Sequence, residues 1–391
     1  MTEIFPWARD MIGCPHDPVY HAEGDPWTHT CLVADKLETS PGFTDLSPER
    51  REILRLSAWF HDVAKPATTR IEWDPKQMRD RVRQPGHAAL GAKMAWAGLV
   101  DAGYDPMMAR EVHAMVFWHQ RPTHLPDQNN MLKRVIEFGH SVSITAWEDL
   151  IRLCHADQDG RICLSNDGAD QNLDLLMLHL EEEGRNVGVM LDTAPWPFAS
   201  AAARLKYLMA DNGEASPFFT PQEPAGSRMV LMSGLPGSGK DTAIARHYGH
   251  LPVVSLDRIR EELQIDPADP QGRVLQAALE EARVHLRRGD DFVWNSTGLN
   301  PLTRGKIIRT ALGYDASIEA VSMDVPLGLV RKRNRERQAA VPDSVIDKLE
   351  RKREPVTVSE AHVLWSIGPD GERRMVFGAE PVSGSPCPAM S

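Results

Sequence analysis

Apolar residues recur every three or four positions through most of the first 180 residues, the spacing that lines one face of an α-helix. PERREILRLSAWFHDVAK shows the pattern after an acidic first turn, and Pro66 is expected to end that helix. GHAALGAKMAWAGLVDAGYD, AREVHAMVFWHQ, MLKRVIEFG and AWEDLIRLCHADQDG repeat it. No stretch here reads as a strand, so this half is predicted to be all-α. Past residue 227 the rhythm changes. Short apolar runs (MVLMSG, PVVSLD, FVWNST, SIEAVSMDV) alternate with helical stretches, followed by strands near HVLWSI and RRMVF, which predicts a parallel sheet flanked by helices.

Between the two patterns stand APWPFAS, an alanine-rich helix (AAARLKYLMA) and DNGEASPFFTPQEPAGS. The last is rich in Pro, Gly and Ser, as an inter-domain linker should be. The expected organisation is a multidomain α and α/β protein: residues 1–195, a linker over 196–226, and residues 227–391, folding as separate units. A length of 391 residues suits more than one domain.

Composition narrows the classes. The net charge of −11 argues against non-specific coating of nucleic acid, yet RKRNRER (331–337) and KLERKRE (348–354) form a local basic patch suited to a phosphate partner. MTEIFPWARD lacks the features of a secretory signal, and no apolar run reaches the length of a membrane span. Cys14, Cys31, Cys154, Cys163 and Cys387 are scattered without C-x-x-C spacing, so reduced thiols in a cytoplasmic protein are expected, with no membrane partner.

GLPGSGKD leaves the first predicted strand of the second half and opens a helix. Gly234, Gly237 and Gly239 let the backbone wrap with its N–H groups inward around Ser238, and the helix N-terminus adds positive charge, a combination that holds a polyphosphate. Lys240 would reach the β- and γ-phosphates. Asp241 follows where the pattern expects Ser or Thr to ligate Mg²⁺; Thr242 comes next, and the Mg²⁺ ligand stays open between them. At the end of the second strand, SLDRIRE sets Asp257 three residues before Arg260. A carboxylate facing the crevice of such a sheet can accept the proton of an attacking hydroxyl, and an arginine one turn on can hold a substrate phosphate. Asn295, Ser296 and Thr297 end the third strand beside the same crevice, to position magnesium-bound water or substrate. Arg333 and Arg337, four apart, are expected on one helix face as a lid over the nucleotide.

These residues resemble the phage-type 5′-hydroxyl polynucleotide kinases. The resemblance is carried by GLPGSGK, by Asp257 and Arg260 in D-x-x-R, and by KRNRERQAAVP-x-x-V-I, over most of 228–350. It implies transfer of the γ-phosphate of ATP or another NTP to a 5′-OH end of RNA or DNA. Asp257 would be the general base, Arg260 the clamp on the phosphate next to the acceptor nucleoside, and Arg333 and Arg337 lid residues. Asp241, and Asn295 where that kinase type carries an acid, are departures that touch the metal environment.

In the first half the adjacent pair His61-Asp62 is preceded by His29 and followed by His87, His113 or His119, and Asp157. Imidazoles and carboxylates from neighbouring helices suit one or two divalent transition metals with positions left for water and phosphate. His113 and His119 are six residues apart and cannot point the same way on one helix. His119, in WHQRP where the helix ends, is taken as the ligand and His113 as packing. Lys65 and His155 stand next to ligands, within reach of a phosphate. The order H…HD…H…H…D, with HDVAKP, GHAALGA and ADQDGR, resembles the HD-domain phosphohydrolase superfamily over about residues 20–180. That resemblance implies one metal on His29, His61, Asp62 and Asp157, with Asp62 bridging to a second on His87 and His119.

Together the halves resemble the bacterial HD-domain polynucleotide kinases. The implied function is healing of nucleic-acid ends: hydrolysis of 2′,3′-cyclic or terminal phosphate by one half, 5′ phosphorylation by the other, with a ligase as a possible partner. Two other readings remain: a nucleotide phosphohydrolase fused to a small-molecule kinase, and a non-catalytic nucleotide-sensing regulator.

Overall fold

The computed structural model describes residues 5–163, 169–210, 215–266, 269–337 and 340–378. Residues 211–214 of the expected linker, Gln338 and Ala339 of the basic run, and Cys387 lie outside them.

Helices build the first half: α1 (Pro26–Glu38), α2 (Pro48–Phe60), the short α3 (Lys65–Thr68), α4 (His87–Asp101), α5 (Pro106–Trp118), α6 (Met131–Ser141), α7 (Trp147–Asp159) and α8 (Ala169–Val187). One local grammar starts three of them. Asp25, Ser47 and Asp105 cap α1, α2 and α5 by accepting a backbone N–H, and a proline follows each at the first helical position, where no N–H is needed. Their apolar faces meet in one core that includes Phe60, Trp96, Met115, Phe138 and Trp147.

The structure departs from the expectation at two places here. Pro66 does not end a helix; α2 stops at Phe60, and Pro66 sits in the first turn of α3. Proline is as compatible with a helix start as with a stop, and the sequence pattern alone does not separate the two. Nor is the half free of strands. Between α3 and α4, β1 (Arg70–Asp74) and β2 (Arg79–Arg83) pair antiparallel around a turn containing Pro75. Charged residues alternate with apolar ones there, and no buried stripe marks the segment.

The helix α9 (Ala201–Met209) lies within the expected linker and packs both ways: Leu205 joins the core of the second half, Tyr207 and Leu208 that of the first. The second half then alternates β3 (Arg228–Ser233), α10 (Lys240–Tyr248), β4 (Val253–Ser255), α11 (Leu256–Glu262), α12 (Gly272–Arg288), β5 (Phe292–Asn295), α13 (Pro301–Leu312), β6 (Ser317–Met323), α14 (Leu327–Arg335), α15 (Asp343–Glu350), β7 (Val363–Ile367) and β8 (Arg373–Phe377). The strand order is β4-β5-β3-β6-β7-β8, parallel except for β8. β3, the first strand, is central and almost entirely buried, as an apolar run covered on both faces must be. The chain leaves it to one side for β4 and returns on the other with β6, which opens a crevice at its carboxyl end. This is a P-loop kinase fold, as the alternation predicts. Among the described residues no helix is long and apolar enough to cross a membrane, and Cys14, Cys31 and Cys154 form no disulfide.

The halves share a buried ion pair that the sequence did not announce. Arg110 of α5 donates to Asp324, just past β6, from Nε at 3.0 Å and Nη2 at 2.9 Å; Nη1 reaches the Val356 carbonyl at 2.9 Å. Ser322 and Ser366 hydroxyls donate to the same carboxylate at 2.7 and 2.6 Å. Truncating one member of such a pair strands the other's charge in a medium that cannot solvate it, at a cost of about 3–5 kcal/mol. Arg110→Ala is expected to destabilise the protein by that amount in urea titrations. A double change of Arg110 to Met and Asp324 to Leu is expected to recover most of the loss.

Candidate functional site

Helix ends converge on a cluster in the first half. His29 lies in the first turn of α1, His61 follows α2, His87 opens α4, His119 follows α5, and Asp157 lies in the last turn of α7. Three of these are C-terminal ends, whose carbonyl dipoles favour a cation. With Asp62, in the turn after α2, all six side chains are buried.

Three imidazoles repeat one arrangement. Nδ1 of His61, His87 and His119 donates to the carbonyl three residues earlier (Ala58, Gln84 and Val116) at 2.8, 2.8 and 2.7 Å. That bond leaves each Nε2 as an unprotonated lone pair. The lone pairs turn on Asp62: His61 Nε2 is 3.2 Å from Oδ2, and His87 and His119 Nε2 are 3.3 and 4.0 Å from Oδ1. None of the three Nε2 atoms has a hydrogen-bond partner. Lone pairs facing a carboxylate in a buried site are a donor set waiting for positive charge. His29, His61 and Asp62 form one triad of donor atoms within 4.8 Å of one another, and Asp62, His87 and His119 a second. The residues therefore fit one or two divalent ions, with Asp62 common to both triads.

The electrostatics agree with an ionised Asp62 and a neutral His119 as ligands, while Asp157 and Glu23 raise His29 against the opposing effect of its burial. Burial pushes His119 down to about 3. Burial opposes ionisation of Asp62, but its facing polar partners, with the Lys65 ammonium among them, hold its carboxyl well below the usual range. Asp157 stands beside the first triad: His29 Nε2 lies 2.9 Å from its Oδ1, while Arg161 holds both its oxygens from Nε at 3.2 Å and Nη2 at 2.9 Å. Lys65 Nζ sits 2.7 Å from Asp62 Oδ2 and 2.8 Å from His16 Nε2. His155 pairs instead with Asp170 at 3.5 Å. His113 stacks along Phe117 and lines a cavity of 1160 Å³ between the two halves, with Arg121, Trp118 and Val356 among its other walls.

Sequence reasoning missed the residues that brace this cluster. Glu23 meets His29 Nδ1 at 3.1 Å and His21 Nδ1 at 2.7 Å, and accepts the Ile162 N–H. His16 stacks on His21 at 3.9 Å. Arg161 was visible in ADQDGR but carried no role; Glu23, His21 and His16 precede α1 with no spacing signal.

In the second half the phosphate loop leaves β3 and enters α10 with Gly237 at φ +83° and Gly239 at φ +97°. A Cβ on Gly237 would meet the Val330 carbonyl at 2.8 Å, so α14 lies directly on the loop. Thr297 accepts the Gly234 N–H at 2.8 Å, tying the loop to the end of β5. Lys240 Nζ donates to the Gly234 and Leu235 carbonyls at 3.0 Å each. Burial pushes its ammonium down to about 8 against the pull of Asp241 and Asp257. Those carbonyls stand where a polyphosphate's charge would compete for the lysine.

Asp257, in the first turn of α11, accepts from Arg260 Nη1 at 2.5 Å and is largely exposed. Gln271 Oε1 accepts from Arg260 Nε at 2.8 Å, a brace the sequence did not suggest. Asn295 Nδ2 donates to Asp241 Oδ1 at 2.9 Å, and Thr242 is exposed beside it. Arg333, on α14, donates to the Ser238 carbonyl at 3.2 Å. The shared helix face expected for Arg333 and Arg337 does not exist, because α14 ends at Arg335 and Arg337 lies in the turn beyond. The buried Asn334 holds that turn, exchanging two hydrogen bonds with the Val341 backbone at 2.7 and 3.0 Å. Arg337 still acts on the loop electrostatically, lowering the Lys240 pKa.

Fold and sites define the class: a P-loop domain of kinase fold joined to a helical half built around a histidine–aspartate cluster. Residues 229–356 match the family described as an AAA domain. A stretch of 124 residues, 32% of this chain, is 32% identical to the CC-adding tRNA nucleotidyltransferase of Thermus thermophilus and covers 25% of it. The chain thus spans a quarter of the length of that curated relative. Among solved structures, a sugar kinase from Janibacter sp. HTCC2649 is 18% identical, with 36% of this chain and 85% of that one covered and a TM-score of 0.29. A gluconokinase from Sinorhizobium meliloti 1021 is also 18% identical, with 38% and 84% covered and a TM-score of 0.27. Scores this low carry no argument about substrate.

Proposed function

We propose that the chain is a bifunctional enzyme that heals nucleic-acid ends in the cytoplasm, with ATP or another NTP and Mg²⁺ serving the P-loop site and one or two divalent transition metals the helical site. The observation that carries the hydrolytic half is Asp62 with imidazole lone pairs converging on both of its oxygens. Divalent ions there would supply Lewis acidity and lower the pKa of water for attack on phosphorus. This chain's residues would orient the ester: Lys65 and Arg161 are the cations nearest the cluster, and burial excludes bulk water.

At the P-loop, Asp257 would accept the proton of the attacking 5′-hydroxyl while Arg260 holds the adjacent phosphate. A phosphate beside the acceptor hydroxyl is what an oligonucleotide end offers and a free sugar lacks. The curated relative, by its name, acts on tRNA, which supports a nucleic-acid substrate for the portion it matches.

The test is an RNA oligonucleotide with a 5′-OH and a 2′,3′-cyclic phosphate, incubated with the full chain, ATP, Mg²⁺ and Mn²⁺. Conversion to 5′-phosphate and opened 3′ end, read by mass spectrometry, is the expected result. Modification of neither end, with turnover of free nucleotides, would sink the nucleic-acid assignment.

A further inference from the structure

The hairpin of β1 and β2 is amphipathic the wrong way round. Directly paired residues share a face, and Arg70↔Arg83, Glu72↔Arg81 and Asp74↔Arg79 make one face wholly charged. The turn-side half of that face packs inward, where Arg79 Nη2 donates to Asp17 Oδ1 at 2.8 Å and Arg81, which also donates to Asp74 Oδ2 at 3.2 Å within the ribbon, stacks 5.3 Å from the Tyr20 ring; Arg70, Glu72 and Arg83 at the open end stay exposed. The other face carries Ile71↔Val82 and Trp73↔Asp80, with Val82 half-buried and Ile71 and Trp73 turned to solvent. Ile71 is 63% exposed, Trp73 59%, and Met78 at the turn 73%. Exposed apolar surface of this kind on a polar ribbon marks a contact site.

Both ends of the hairpin are anchored in the metal cluster. It connects α3, whose Lys65 contacts Asp62, to α4, whose first residue is His87. Thr69 donates to the Lys65 carbonyl at 2.8 Å, and the Gln84 carbonyl accepts from His87 Nδ1. Residues 70–83 carry five basic side chains against three acidic ones, in a chain of net charge −11. Arg70, Lys76 and Arg83 are exposed, and among the described residues Arg70 and Lys76 enter no ion pair; Glu72 and Asp80 are the exposed acids.

We propose that this hairpin is the platform on which single-stranded nucleic acid lies as its 3′ end enters the metal cluster, Trp73 stacking on a base and Arg70 and Lys76 meeting phosphates. This rests on the end-healing reading above. A stacking ring on a ribbon with unpaired cations at its open end and its turn suits a single strand, whose bases are open and whose backbone is anionic, better than it suits a second copy of this acidic chain.

The test compares the cyclic-phosphate RNA oligonucleotide with a 2′,3′-cyclic mononucleotide as substrates of the full chain with Mn²⁺. For Trp73→Ala, the oligonucleotide KM is expected to rise about 5- to 150-fold, the span of stacking losses on alanine substitution, with kcat and mononucleotide turnover within twofold. Trp73→Phe is expected to restore most of it. Removing Arg70 and Lys76 together is expected to flatten the log–log salt dependence of oligonucleotide binding by about 1.4, at about 0.7 per phosphate contact. An unchanged oligonucleotide KM in Trp73→Ala would overturn the platform while the end-healing reading stands. So would a wild-type dimer that Trp73→Ala converts to a monomer in light scattering. Wild-type turnover of the mononucleotide but not the oligonucleotide would overturn the end-healing reading and the platform with it.

Discussion

Asp62→Ala is expected to lower 3′-end hydrolysis by at least about 10³-fold and to leave 5′ phosphorylation within about twofold. The triads of His29 with His61 and of His87 with His119 share Asp62, so one substitution removes a ligand from each. What remains is four imidazoles, Asp157 and Lys65 with the central carboxylate gone. Losing metal-derived transition-state stabilisation of several kcal/mol, at about 1.4 kcal/mol per factor of ten, gives the magnitude. The fold should survive, because Asp62 side-chain contacts are confined to the cluster and Lys65. Circular dichroism and the intact kinase reaction check that. Hydrolysis that persists in Asp62→Ala, or that survives chelation of divalent ions, would remove the metal reading altogether.

Lys240→Ala is expected to abolish 5′ phosphorylation to a similar degree, about 10³-fold or more, with 3′-end hydrolysis unchanged. Its Nζ now spends two hydrogen bonds on the loop's own carbonyls. A triphosphate offers better acceptors, and in the transition state the lysine would offset charge that grows on the transferring group. Quantifying ATP affinity alongside kcat separates lost binding from lost transition-state stabilisation. If hydrolysis at the 3′ end falls in step with the kinase, the two sites are coupled and do not act independently.

The six strands of the second half and most helices of the first were legible because their signals are local. β3 reads as an apolar run bounded by a glycine loop, and α2, α4, α5, α6 and α7 show apolar residues at helical spacing. The hairpin was not legible. Its charged face is stabilised by Asp17 and Tyr20, residues more than 50 positions away, so nothing in its own pattern marks it as strand. Arg337 failed for a related reason: i, i+4 spacing presumes that the helix continues, and a buried side chain, Asn334, ended it.

For the sites, the sequence by itself determined the chemistry on offer. Gly-rich turn, lysine and helix start are contiguous, and residue type alone makes histidine and aspartate donors. Only the tertiary structure decided which donors converge. It sets His119 against Asp62 and turns His113 to the cavity, and it brings Glu23 to His29. It also joins Arg110 of one half to Asp324 of the other, and packs α14 on the phosphate loop. These depend on how helix ends meet in space, because a buried charge or lone pair is tolerated only opposite a partner, and most of the partners come from elements far apart in the chain.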